Sequence, residues 1–137
     1  AIADAIRLWG EEKDLSQLRI WGYRNVWYQF HAADATHIVP VSLNAMGIMD
    51  YTFTNCYLSQ VDASFPSYRH DGKFSDLSKR IWVDQLRQIQ LLLGKPFFYQ
   101  NESPRLRTTH GLLYFKEMNV NEFLLSAREL EKSMEGA

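Results

Sequence analysis

The stretch Leu18–Phe30, L-R-I-W-G-Y-R-N-V-W-Y-Q-F, constrains the fold more than any other part of the chain. Five of its last ten residues are aromatic: Trp21, Tyr23, Trp27, Tyr28 and Phe30. Aromatic rings bury the largest apolar surface per residue, so the remaining elements must pack on this one. Two local structures compete for it. Trp, Tyr, Val and Ile favour strands, which allows two short strands here. The helical spacing fits slightly better: Ile20, Tyr23, Trp27, Phe30 and Asp34 recur at three and four, with Val26, Phe30 and Ala33 in a flanking row. The reading taken is a helix capped by Asp14 or Ser16, continued by the alanines at 32, 33 and 35, and ended before Pro40.

Around it the pattern is mainly helical. Ile2, Ile6 and Trp9 mark one face of a short first helix with Gly10 as its stop. Ser42 is placed to cap a helix carrying Met46, Met49, Phe53, Cys56 and Gln60, although Tyr51–Leu58 is also rich in strand formers. Residues 62–75, with Pro66 and Asp71-Gly72, read as a loop. Residues 76–93 form the clearest helix. Ser75 is read as its cap, Asp76 suits the positive helix end, Gly94 is its stop, and Ile81, Trp82, Leu86, Ile89 and Leu93 form a buried stripe. Ser103-Pro104 reads as a cap followed by a first-turn proline. Residues 105–118 are open between strand and helix. Asn119 with Glu122 resembles a capping box for a last helix over 121–134, with Phe123, Ala127, Leu130 and Met134 as its stripe. The expected fold is mostly α, a single bundle-like domain of four to six helices over residues 1–137. The alternative is α+β with a small antiparallel sheet within residues 19–58.

Composition narrows the function classes. A net charge of −1, with 46% apolar and 23% charged residues, gives no global pull toward nucleic acid or an anionic membrane, and no sign of charge-driven disorder. No apolar run reaches membrane-spanning length. One cysteine, Cys56, allows no internal disulfide and fits a reducing, intracellular and cytoplasmic setting. It is read as a small buried hydrophobe. The first residues are too short and too charged for a secretory leader, and a start at Ala rather than Met reads as processing or as an excerpt of a longer chain.

Three constellations can carry chemistry. Arg24-Asn25 and His31 lie two helical turns apart and would share a helix face, where a histidine can move protons and an arginine can meet a phosphate. The spacing resembles the R-N-x-x-x-x-x-H variant of the HEPN ribonuclease motif. The resemblance implies an all-helical, often dimeric family with metal-independent RNA cleavage, Arg24, Asn25 and His31 being the catalytic positions. His31, Asp34 and His37 invite a metal reading, but on one helix His37 points away from the other two, so no metal and no cofactor is expected. Two stretches are basic: Tyr68–Lys73, and Lys95 with Arg105 and Arg107 beside Phe97, Phe98 and Tyr99. The second could stack and pair with single-stranded RNA.

Among these, the aromatic load weighs most. Four Trp, seven Tyr and eight Phe exceed what a core of this size needs. The leading expectation is therefore a non-catalytic protein-interaction or assembly module, joining a protein partner or a second copy through Trp21, Tyr28, Phe97, Phe98 and Tyr99, with Arg105 and Arg107 nearby. The ribonuclease on Arg24 and His31 is the alternative. An RNA-contacting subunit using the 95–110 surface is the third reading.

Overall fold

Strand pairing over a long sequence separation sets the architecture. The computed structural model describes residues 1–23, 30–61 and 72–135. Its elements run α1 (Ile2–Glu12), β1 (Arg19–Tyr23), β2 (His37–Ser42), α2 (Leu43–Cys56), α3 (Leu58–Val61), α4 (Phe74–Leu93), α5 (Lys95–Tyr99), α6 (Pro104–Arg107), β3 (Thr109–Asn119) and α7 (Val120–Glu135). The fold is mostly helical with one small antiparallel sheet, ordered β1-β3-β2.

The helix expected across the aromatic stretch, ending before Pro40, is not formed where the chain is described. Arg19–Tyr23 is a strand, His37–Ser42 another, and His31 lies outside any helix. In so aromatic a stretch, periods of 2 and 3.6 both find matches, and tertiary pairing decides. The deciding partner is β3: Arg19 pairs with Asn119 and Tyr23 with Phe115, while His37 pairs with Phe115 and Val41 with Gly111. The sheet held as an alternative is thus present, but its central strand comes from residues 109–119, beyond the 19–58 limit. Pro40 is tolerated because β2 is an edge strand, where a missing N–H can face outward. Asp14 caps no helix; its carboxylate accepts from the backbone N–H and hydroxyl of Ser16.

The core lies between β3 and the helices that follow α3. Leu86 and Ile89 of α4, Phe98 of α5, and Leu112 and Tyr114 of β3 are buried together, with Phe30, Ala32, Ala35 and Leu106 packed against them. Each such side chain contributes about 1.5–3 kcal/mol on full burial. The Tyr114 hydroxyl donates to the Gln85 carbonyl at 3.2 Å, and burial pushes its pKa up. Gly111 marks the tightest approach. A Cβ there would stand 2.6 Å from Met46 Cε and 2.8 Å from Trp82 Cβ, so α2 and α4 press onto the strand where a side chain would block them.

Several termini follow the expected chemistry. Ser42 accepts from the Ala45 N–H, and Asn119 and Glu122 cap α7 reciprocally at 2.8 and 2.9 Å. Gly94 ends α4 at φ 81°, a conformation suited to glycine. Ser75 departs from its expected role: α4 begins two residues earlier, with Lys73 at the cap, and the buried Ser75 hydroxyl donates to Asp50 of α2 at 2.8 Å. α1 runs past Gly10 to Glu12. Cys56, expected inside, is exposed at the end of α2.

Candidate functional site

Two exposed surfaces gather the aromatic and apolar residues. The first is one face of the sheet. Pairing of Trp21 with Glu117, and of both Tyr23 and His37 with Phe115, sets these side chains on a common side, because paired residues share a face. Trp21 packs against His37 with ring centroids 4.5 Å apart and planes tilted by 33°, and meets Phe115 edge-on at 5.9 Å; Tyr23 lies 5.7 Å from the same ring. Trp21 and Tyr23 remain exposed, as do His37 and Val39. Partial burial raises the pKa of the Tyr23 phenol.

The polar groups on this face neutralise one another. The Glu117 carboxylate lies 3.5 Å from Arg19 Nε and 3.7 Å from His37 Nε2. Thr36 fixes the arrangement: its hydroxyl accepts from the Glu117 N–H at 2.7 Å and lies 3.0 Å from His37 Nδ1. The face can stack planar groups, and among the described residues it offers no uncompensated charge to steer a highly charged ligand.

The second surface is the end of α4 with α5. Leu91, Leu92 and Leu93 are 86%, 74% and 53% exposed. Three consecutive leucines sweep about 200° around a helix, wider than the stripe a neighbouring element normally covers. Gly94 turns the chain into α5, which presents Phe97 and Tyr99 to solvent, and the Gln90 side-chain amide donates to the Tyr99 hydroxyl at 3.2 Å, tying α5 back onto α4.

The residues singled out from the sequence divide accordingly. Trp21 is on the sheet face, and Phe97 and Tyr99 are on the α4–α5 surface. Phe98 is not a surface residue: at 2% exposure it belongs to the core, its ring edge-on to Phe97. In the short helix α5, neighbouring residues point to different sides, so only one of Phe97 and Phe98 can reach Ile89 and Leu112. Arg105 is exposed, whereas Arg107 donates to the carbonyls of Asn101 and Glu102 and so braces its own loop. Arg24, Asn25, Trp27 and Tyr28 lie outside the described residues, as do Tyr68 to Asp71. His31 is exposed, and its carbonyl accepts from the Asp34 N–H in a turn. His37 is engaged by Trp21, Thr36 and Glu117.

Leu91 and Leu92 were not legible as surface residues, although an unbroken apolar triplet at a helix end was the available signal. The grouping of Trp21 with His37 and Phe115 had no local signal, since strand register joins positions almost a hundred residues apart. Comparison with protein-family models, curated proteins and solved structures finds no match to this chain. Among the described residues, no helix is long and apolar enough to cross a membrane.

Proposed function

We propose that this chain is a non-catalytic assembly module that joins a second copy of itself through the exposed end of α4 and α5. The observation that carries the reading is the leucine triplet 91–93, exposed together with Phe97 and Tyr99 inside nine residues. Leaving such a run in water forgoes stabilisation that contact with another apolar surface would recover. Five large side chains on each of two copies withdraw on the order of 1,000 Å² from water, the lower bound for a specific interface.

A second copy is favoured over a charged partner because the patch itself is apolar, and a net charge of −1 gives little long-range repulsion between copies. The ribonuclease and RNA-contacting readings draw no support from a particular contact. Arg107 is turned to its own loop, Phe98 is inside, and His31 is on a turn.

The test is insertion of charge into the patch. Both leucines are exposed, so the double variant Leu91→Glu/Leu92→Glu should keep the wild-type circular dichroism and thermal midpoint. It should sediment as a monomer at concentrations where the wild-type chain associates. Unchanged association of the folded variant would remove α4 from the interface. A wild-type monomer that binds a different protein through these leucines would retain the surface and replace the second copy.

A further inference from the structure

The stripe Phe123, Ala127, Leu130 and Met134 has the spacing of a buried helix face, yet no residue of α7 is buried. It faces a cleft of about 670 Å³, closed on other sides by Met118 of β3, Phe30 and the first residues of α1. That volume lies within the range of small-molecule sites. From Phe123 to Met134 the wall runs about 16 Å, the extent of a medium-length acyl chain.

One wall carries a charge that the apolar lining does not explain. Lys116 stands on the central strand, half-buried, between Tyr114 of the core and Met118 of the cleft, and its side chain makes no hydrogen bond or ion pair among the described residues. The acidic residue at the rim does not serve it. Glu131 is held by Arg7, whose two terminal nitrogens lie 3.2–3.3 Å from its carboxylate, and this hydrogen bonding raises the arginine's pKa. Asp4 is likewise engaged, by Arg7 at 2.7 Å. Among the described residues, the charge left uncompensated in the cleft is therefore positive.

We infer that the cleft between α1 and α7 binds a medium-chain monocarboxylate, its acyl chain along Phe123, Ala127, Leu130 and Met134 and its carboxylate on Lys116. The chain would cover the stripe that α7 leaves open, and the carboxylate would supply the partner Lys116 lacks. A peptide helix could also fill an apolar groove, but a single isolated cation within apolar walls matches a one-headed amphiphile better than a side-chain-bearing segment. The site lies apart from Leu91–Leu93 and does not depend on self-association.

Calorimetric titration below the micellar range tests it, using dodecanoate, its methyl ester and octanoate. Dodecanoate should bind about tenfold more tightly than the ester, and on the order of a hundredfold more tightly than octanoate, which lacks four of the buried methylenes. Lys116→Met keeps an unbranched side chain and removes the charge; it should bring dodecanoate down to the level of the ester and leave the ester unchanged. Ala127→Trp, which fills the cleft, should weaken both ligands, and the octanoate comparison reports on the cleft even where that variant fails to fold. Absence of dodecanoate binding would overturn the inference. So would full-affinity binding to a folded Lys116→Met variant, or affinity indifferent to chain length.

Discussion

At the scale of single residues, what was legible depended on whether the constraint is local. Asn119 and Glu122 satisfy each other's backbone N–H groups within one turn, so their spacing announces the cap. Phe97 and Phe98 are adjacent and chemically identical, and only the positions of Ile89 and Leu112 decide which is buried. Gly111 is the opposite extreme. Nothing around it in the chain marks it, yet α2 and α4 meet over it. Gly111→Ala is expected to destabilise by about 1–3 kcal/mol, the cost of overpacking, because Met46 Cε can swing aside but Trp82 Cβ and its backbone cannot. Urea unfolding of the variant checks it. A change within about 0.5 kcal/mol would mean that the two helices yield freely.

At the scale of elements, the helices α4 and α7 were readable because caps and stripes agree, whereas the three strands were not, because each owes its state to another strand. One polar link between elements also escaped sequence reading. Asp50 of α2 accepts from Ser75 at 2.8 Å and lies 3.2 Å from Lys79, which also meets Asp76, fastening α2 to α4. The Ser75 hydrogen bond, with help from Lys79, holds the Asp50 carboxyl below its ordinary 3.8. A carboxyl depressed on folding adds stability above its unfolded pKa and loses it as pH falls through the lower folded value. Asp50→Asn should therefore be less stable than wild type near neutrality, with the gap narrowing as the solution is acidified below pH 3.8. Urea midpoints across the acid range report this. Parallel profiles for the two proteins would show that the link contributes nothing.

At the scale of the whole molecule, the balance between inside and outside is unusual. Among the described residues twenty large hydrophobic side chains are exposed, against eight buried apolar residues. The aromatic count pointed toward such an excess, but not to its location. Trp21 was anticipated at the surface, while the leucine triplet was hidden behind the expectation that Leu93 closes a buried stripe. On the proposed reading, this excess is the surface that a second copy would cover. Sedimentation equilibrium of the wild-type chain, at concentrations on the order of tens of micromolar and in salt from about 0.05 to 0.5 M, tests that claim most directly. The account predicts a reversible dimer whose dissociation constant barely changes with salt, since apolar contacts are not screened. A monomer throughout, or a dimer dispersed by salt, would contradict it.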